Sequence, residues 1–253
     1  MLMQSLLKLS TVKDDSGIIL LTQAAQSTLV TAAQSAPKFF IATVGNEALR
    51  SNISGEERSM YIMKLLYIVN NYPESQLVVL PRIVETLTRC LDPAEPGIRK
   101  ALFKSCATVL HALTLCYPMV SFHQPSQLFA VGTDKISKSL IVIYDLRTAT
   151  KWKILDGHTG DVTAIAFSED GGMLASYSGD ETPPSMRVWR TGSSLFPILL
   201  GLQGKCLRTY HLKVIEAESM SKKHLLKNTK IVWKNPSTIQ LTREDKSEVQ
   251  FTV

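Results

Sequence analysis

The chain has 253 residues, of which 45% are hydrophobic and 20% charged, so it is long enough and apolar enough for two globular domains of ordinary size. Its formal net charge of +6 is confined to one segment, because residues 205–234 hold eight Lys or Arg against two Glu while the rest balances 20 basic with 20 acidic residues. This composition excludes a disordered chain and favours a well-packed intracellular protein.

Neither a secretory signal nor a membrane span is expected. The first nine residues lack the sustained apolar core of a signal peptide. The apolar stretch that begins at Leu20 is interrupted by Gln23, Gln26 and Thr28, whereas a span needs about 20 predominantly apolar residues. The cysteines form no Cys-x-x-Cys pair and no metal-ligand cluster, so we expect free thiols without a zinc or disulfide role. They are Cys90, Cys106, Cys116 and Cys206.

Residues 1–119 carry apolar side chains at helical spacing and are predicted to form an α-helical array. Ser54 and Glu57 form a capping box before the helix 58–69, and Pro73 ends that run. Pro81 falls near the start of a later helix, where proline is tolerated. Short proline-bearing connections favour a solenoid of the HEAT or armadillo type, with an ordinary helical bundle as the alternative. The predicted helices are 3–9, 17–34, 37–50, 58–69, 76–91 and 98–117.

Residues 120–253 change to a strand pattern. The apolar runs 128–132 and 140–145 predict two strands, the second of which closes in Tyr144-Asp145. The segment from Gly157 to Trp189 then predicts three more strands, at 162–167, 173–176 and 185–190, with a tight Gly171-Gly172 turn after the first. Further short strands are predicted at 205–210, 230–233, 237–242 and 248–253.

The segment from Gly157 to Trp189 resembles a WD40 repeat, in which a Gly-His pair precedes a Trp-Asp pair by about thirty residues. The resemblance implies a buried hydrogen-bond network of His158, Ser176, Asp180 and Trp189 that stabilises one blade of a β-propeller. Arg190 departs from the pattern because it stands where Asp is usual. The alternative interpretation, a hydrolase triad of His158, Ser176 and Asp180, is disfavoured because Ser176 lies in the middle of a strand and not on an exposed nucleophile elbow.

The repeat spacing predicts two to three blades. Tyr144 and Trp189 lie 45 residues apart, within the ~40–45 residues typical of this repeat. We place the blades at about 127–145 and 154–190, with a degenerate third at 205–253. Propellers close with roughly 4–8 blades, so we expect an incomplete propeller and favour a chain that is part of a longer protein. The predicted fold class is therefore α+β and multidomain, with domains at 1–119 and 120–253.

A family resemblance runs through both halves of the chain. It is carried by LPRIVETLTRCLDP (80–93), RKALFKSCATVLHALTLCYPMVSFHQPSQLFAVGT (99–133) and IVIYDLRTATKWKILDGHTGDVTAIAFSEDGGMLASYSGD (141–180). These segments resemble the C-terminal part of the WD repeat-containing protein 7 family, the beta subunits of rabconnectin-3. The resemblance implies a scaffold that assembles with DmX-like proteins and regulates the vacuolar proton pump (V-ATPase). It also implies a cytoplasmic protein, peripheral on synaptic-vesicle or endosomal membranes through its partners.

No catalytic or cofactor motif is found. The chain has no GxxxxGK[ST], no GxGxxG after a strand, no HExxH and no GxSxG, so we expect neither an enzyme nor a bound cofactor. The basic segment offers a possible contact patch of Lys222, Lys223, Lys227 and Lys230 on a loop that could equally be only solvated. The alternative function is therefore a basic adaptor that binds anionic membrane or nucleic acid through 205–234. Nucleic acid is not expected, since 219–230 has no aromatic side chain to stack on bases.

Overall fold

The computed structural model describes residues 2–10, 19–133, 139–191, 204–214 and 228–253. They form two compact units, Met1–Cys116 and Tyr117–Val253, which we call the helical unit and the blade unit. As the sequence predicts, helices come first and antiparallel sheets follow. The predicted strands 128–132, 140–145 and 185–190 are confirmed within one residue at each end.

The helical unit is built from helices that follow the predicted order. Within its described residues these are α1 (Leu2–Leu9), α2 (Ile19–Ser35), α3 (Pro37–Ala48), α4 (Gly55–Asn71), α5 (Pro73–Gln76), a 3-10 turn (Leu77–Val79), α6 (Leu80–Cys90) and α7 (Pro96–Cys116).

The start of α4 confirms the Ser54 cap, which is one of the two bonds of the predicted capping box. The Ser54 hydroxyl accepts the Glu57 backbone N–H at 3.1 Å, which satisfies one of the free donors at the helix N-terminus. The Tyr61 hydroxyl in turn donates to the Glu57 carboxylate at 2.9 Å. Because Ser54 is the cap, α4 begins at Gly55 and not at residue 58. It ends at Asn71, and Tyr72 separates it from Pro73.

The predicted helix 76–91 is wrong in its first turn. The chain instead forms the short α5, a 3-10 turn and then α6, which has Pro81 in its first turn. Proline lacks a backbone N–H and its ring collides with the carbonyl four residues earlier, so an α-helix that continued from Gln76 through Pro81 would be broken. The break places Pro81 where a proline is tolerated.

Helix pairs pack on one another in the described part of the helical unit, where α1 and α2 contact each other and α3. Helix α4 packs against its neighbour α3 and against α7, while α6 packs against α7 and against α3. The pair α3–α4 therefore lies on the pair α6–α7. A solenoid requires such stacking to repeat at least three times, so the HEAT or armadillo assignment stays a prediction.

The blade unit is made of antiparallel strands. Within its described residues they are β1 (Val120–His123), β2 (Leu128–Thr133), β3 (Leu140–Asp145), β4 (Thr150–Asp156), β5 (Ala164–Phe167), β6 (Met173–Ser178), β7 (Ser185–Arg190), β8 (Lys205–His211), β9 (Lys230–Asn235), β10 (Thr238–Thr242) and β11 (Glu248–Thr252). They pair into three sheets, which we call blades 1, 2 and 3, with orders β1-β2-β3-β4, β5-β6-β7-β8 and β11-β10-β9.

The blade boundaries differ from those predicted. Blade 1 spans 120–156 and not 127–145, because β1 and β4 add an inner and an outer strand. The sequence signal missed β4 because it lies at the outer edge and most of its side chains are exposed or half-buried. Blade 2 spans 164–211 and not 154–190, since β8 pairs with β7 across residues 191–204. Blade 3 is consequently shorter, at 230–252 and not 205–253.

The blades pack side by side along their first strands. Strand β5 contacts both β1 and β9, which makes these three the inner strands of an arc. The Ile165 backbone N–H donates to the Pro118 carbonyl at 2.8 Å, and the Trp233 indole donates to the Ala166 carbonyl at 3.1 Å. Apolar clusters fill both interfaces, one between blades 1 and 2 around Leu174 and the other between blades 2 and 3 around Tyr177.

The two faces of blade 3 differ in polarity. Alternate residues of β10, Ile239 and Leu241, are fully buried in the cluster shared with blade 2. The other residues of β10, Thr238, Gln240 and Thr242, are half-buried and point to the opposite face of the sheet. Their cross-strand neighbours there are polar apart from one valine, namely Thr252, Gln250, Glu248, Lys230, Asn235 and Val232. Blade 3 therefore contributes an apolar face to its contact with blade 2, and its other face is polar.

A buried hydrogen-bond network as the candidate functional site

Ser176 lies at the centre of a buried network in blade 2. It sits in the middle of β6 with no exposed surface. Its hydroxyl oxygen accepts the indole N–H of Trp189, on β7, at 2.8 Å. It also lies 2.7 Å from Nε2 of His158, which precedes β5. The structure thus brings together three of the four residues that the WD40 resemblance assigned.

Glu181, and not Asp180, completes this network. The Glu181 carboxylate lies 3.1 Å from Nδ1 of His158 and accepts the Thr159 backbone N–H at 2.5 Å. It also accepts the hydroxyl of Ser185. Glu181 is 7% exposed, whereas Asp180 is exposed. Glutamate has one methylene more than aspartate, so it reaches the imidazole from a turn that is longer than the compact repeat.

The network has one consistent direction of hydrogen bonding. Burial lowers the pKa of His158, and this outweighs the opposite influence of Glu181, so the imidazole is neutral near pH 7. Burial by itself would raise the pKa of Glu181, but the hydrogen bonds from His158, Ser185 and Thr159 lower it to about 2. A neutral imidazole has one donor and one acceptor. His158 therefore donates from Nδ1 to Glu181 and accepts the Ser176 hydroxyl at Nε2.

Glycines bring the backbone close to this network. A Cβ on Gly157 would lie 2.9 Å from the Trp189 ring and 3.1 Å from the Arg187 guanidinium. A Cβ on Gly160 would lie 2.9 Å from the backbone of Asp180 and Glu181. Contacts this short would require a shift of the neighbouring atoms. Glycine at these two positions therefore lets the loop before β5 approach the indole and the turn between β6 and β7.

The network stabilises the blade and leaves no group placed for chemistry. Ser176 Oγ is fully buried and already bonded to Trp189 and His158, so no substrate carbonyl can reach it. Glu181 lies at Nδ1 of His158, the position that the orienting Asp180 would take in the triad of the alternative interpretation. Leaving such buried donors unpaired costs roughly 1–3 kcal/mol each. The arrangement can therefore hold strand register, which is a structural role.

Sequence reasoning missed three polar residues around the network. Glu181 and Ser185 bond to it directly, while the Arg187 guanidinium lies 4.0 Å from Glu181. Buried atoms without a hydrogen-bond partner remain at Arg187 Nε and Ser178 Oγ. The signal that could have found Glu181 is its position, since it is an acidic residue next to the expected Asp180 in a turn lengthened by two prolines.

The predicted basic patch lies mostly outside the described residues. Lys222, Lys223 and Lys227 fall there, while Lys230 is exposed at the start of β9. Four further basic residues of the segment 205–234 are exposed in the described part, namely Lys205, Arg208, Lys213 and Lys234. The patch stays a prediction.

Other candidate sites were sought over the described ranges. No group of three His, Cys, Asp or Glu residues there could hold a metal ion. Cys90 and Cys106 are buried free thiols, while Cys116 and Cys206 are half-buried ones. None of the helices in the described part of the chain combines the length and hydropathy needed to cross a membrane.

Part of the chain is similar to pre-mRNA-processing factors. Over 73 residues, 29% of this chain, it is 37% identical to pre-mRNA-processing factor 19 homolog 2 of Arabidopsis thaliana. It is 32% identical over 73 residues to pre-mRNA-processing factor 19 of Oryza sativa subsp. japonica. The matches span 13% and 12% of those two proteins. No protein-family model matches the chain.

Solved structures show a looser similarity. Hsv2p of Kluyveromyces lactis matches 53% of this chain and 41% of its own, with 14% identity and a TM-score of 0.40. Sqt1 of Chaetomium thermophilum, solved with the N-terminus of ribosomal protein L10, matches 53% of this chain and 32% of its own, with 24% identity and a TM-score of 0.36. The sequence similarities support an assignment to WD-repeat proteins without selecting one family among them.

Proposed function

We propose that this chain is a non-catalytic interaction scaffold in which paired helices and an arc of blades present surfaces to protein partners. The observation that carries the proposal is the network around Ser176. The side chains that could have formed a reactive site, His158 and Ser176, are buried and bonded to Trp189 and Glu181, and so serve the blade itself. Because these residues stabilise the sheet, we place the function on the surface of the blades.

The partners proposed follow from the family resemblance in the sequence. The segments 80–93, 99–133 and 141–180 resemble the rabconnectin-3 beta family, so we assign as partners a DmX-like protein and subunits of the vacuolar proton pump. The chain would then act in assembly and regulation of that pump, at the cytoplasmic face of vesicle or endosomal membranes. Membrane association would be peripheral and would occur through these partners.

Purified proteins test this proposal directly. The full chain is immobilised and titrated with a DmX-like protein and with separate cytosolic subunits of the pump. We expect saturable binding to at least one of them that changes little between about 50 and 200 mM salt, because packed apolar contacts are screened much less than exposed charges. Absence of binding to all of them at micromolar concentration would contradict the assigned partners.

The second candidate is a basic adaptor that binds anionic membrane through residues 205–234. It is favoured by the local charge, eight basic residues against two acidic ones. In this case binding to vesicles that contain phosphatidylserine would fall steeply as salt rises. It would also be lost in a variant with Lys222→Glu, Lys223→Glu and Lys227→Glu.

A matched variant controls for the change of net charge. Lys38→Glu, Lys100→Glu and Lys104→Glu together make the same change of net charge at exposed lysines of α3 and α7 in the helical unit. They should leave vesicle binding close to that of the parent chain. Vesicle binding that survives the substitutions at 222, 223 and 227 would exclude the basic adaptor, and duplex DNA in place of vesicles provides the corresponding test for nucleic acid.

A further inference from the structure

A cavity of about 310 Å³ lies inside the helical unit between α2, α3 and α4. This volume is about ten times the ~30 Å³ that a water molecule occupies in the liquid, and it falls at the lower end of the roughly 300–1,000 Å³ range of small-molecule pockets. Most of its wall is apolar. The apolar residues that line it include Leu29, Val30, Phe40, Met60, Met63 and Ile68.

One stripe of α4 forms a side of this cavity. Met60, Met63, Lys64 and Tyr67 follow the i, i+3, i+4, i+7 spacing that places side chains on one helix face. Met63 is 42% exposed and Tyr67 is 51% exposed, so the cavity opens to solvent along this stripe. Methionine side chains are flexible and polarisable and adapt to ligands of different shape.

Lys64 places a positive charge in this apolar wall. Its side chain is half-buried, and Nζ donates to the Ser10 carbonyl at 2.7 Å. An ammonium group has three donors, and the part of the chain that the structure describes supplies Lys64 with no carboxylate partner. Burial lowers the pKa of Lys64, which expresses the cost of keeping this charge away from water. Charges removed from water are normally paired.

The geometry points to a binding site for a single-chain aliphatic carboxylate, whose hydrocarbon tail lies between α2 and α4 and whose carboxylate pairs with Lys64. The tail removes apolar wall from water, and the carboxylate supplies a charged acceptor that none of the described residues provides to Lys64. A cationic amphiphile would meet like charge at Lys64, and a neutral one would add no charged partner to the Ser10 carbonyl. This site is independent of the observation that carries the proposed scaffold function, which is the buried network around Ser176 in blade 2.

Calorimetric titration of the full chain with dodecanoate, below its micelle concentration, tests the site. We expect saturable binding with one ligand for each chain, weaker binding of dodecanol and none of dodecyltrimethylammonium. Lys64→Gln should raise the dissociation constant of dodecanoate about 10-fold or more, the usual effect of losing a charge-assisted hydrogen bond. Lys104→Gln, the same change at an exposed lysine of α7, should leave the dissociation constant unaltered.

Lys64→Gln also removes the hydrogen bond to the Ser10 carbonyl. If this loss disturbs folding, a second variant at another residue still tests the site. Val30→Trp fills the cavity from its half-buried rim and should abolish dodecanoate binding, while the helical circular dichroism signal is retained. The proposal is overturned if dodecanoate does not bind saturably, if dodecanol binds as tightly, or if Lys64→Gln or Val30→Trp binds dodecanoate like the parent chain.

Discussion

Glu181 Oε1 lies 3.1 Å from Nδ1 of His158, so the residue that orients the buried imidazole directly follows the one expected from the repeat pattern. Both partners are at least nine-tenths buried. The pair connects the loop before β5 to the turn between β6 and β7, and Ser176 extends the connection to Trp189. The stability of blade 2 should therefore depend on Glu181 more than on Asp180.

Exchanging each acid for its amide tests this dependence. Glu181→Gln removes the charged acceptor of three hydrogen bonds and should lower the free energy of unfolding of the blade unit by about 1–3 kcal/mol. Asp180→Asn changes an exposed side chain and should cost no more than about 0.5 kcal/mol. Tryptophan fluorescence during urea denaturation is the measurement, because all three tryptophans, at 152, 189 and 233, lie in the blade unit. Equal losses in the two variants would contradict the assignment of Glu181.

The blade unit should lose stability on acidification in two stages. Burial lowers the pKa of His158 below 6.5, so the unfolded state takes up this proton first and stability falls as the pH drops below 6.5. The pKa of Glu181 is lowered from 4.5 to about 2, so its contribution is complete above pH 4.5 and is lost as the pH falls towards 2. The Arg187 guanidinium is a further charge near this pair, 4.0 Å from Glu181.

Urea denaturation at a series of pH values measures both stages. Glu181→Gln has no carboxylate to protonate, so its stability should fall less steeply than that of the parent between pH 4.5 and 2. Parallel profiles for the two proteins over this window would show that Glu181 is not the titrating group.

Adding one methyl group at Gly157 should destabilise blade 2. The Cβ of Gly157→Ala would lie 2.9 Å from the Trp189 ring, which is 1% exposed and has little room to move. Overpacking of this kind typically costs about 1–3 kcal/mol. Gly97→Ala is the matched control, since a Cβ there meets nothing within 4 Å.

The two substitutions are compared by thermal melting. Gly157→Ala should lower the midpoint seen by tryptophan fluorescence. Gly97→Ala lies in the first turn of α7, where alanine favours the helix by up to about 1 kcal/mol, and should leave the midpoint seen by circular dichroism unchanged or raised. A Gly157→Ala chain that melts like the parent would mean that the loop before β5 does not press on Trp189.

The different polarity of the two faces of blade 3 predicts that a lysine has a small effect on stability at one position of β10 and a large effect at the next. Gln240→Lys places a charge on the half-buried polar face and should change the free energy of unfolding by no more than about 0.5 kcal/mol. Leu241→Lys places the same charge in the apolar cluster shared with blade 2, and should cost at least about 3 kcal/mol. Tryptophan fluorescence of the blade unit during urea denaturation measures both changes. A large loss with Gln240→Lys would mean that another apolar surface covers this face.

The sequence predicted individual helices and strands better than the assignment of strands to blades. Strand β7 and the Ser54 cap of α4 were predictable because each depends on a few neighbouring residues. The assignment of β8 to blade 2 was not predictable, since residues 191–204 separate it from β7 and only the pairing with β7 decides its sheet. Strand β4 was missed because an edge strand needs few apolar side chains.

In the candidate site too, some contacts were predicted from the sequence and others were decided only by the tertiary structure. The WD40 resemblance of the sequence implied that His158, Ser176 and Trp189 meet, because these residues stand at the positions that form the buried network of that repeat. Only the tertiary structure decided that Glu181 and not Asp180 completes the network, because the reach of a side chain from a turn depends on the backbone path. The Lys64 cavity was likewise invisible in the sequence, because its wall is assembled from three helices that meet only when the chain folds.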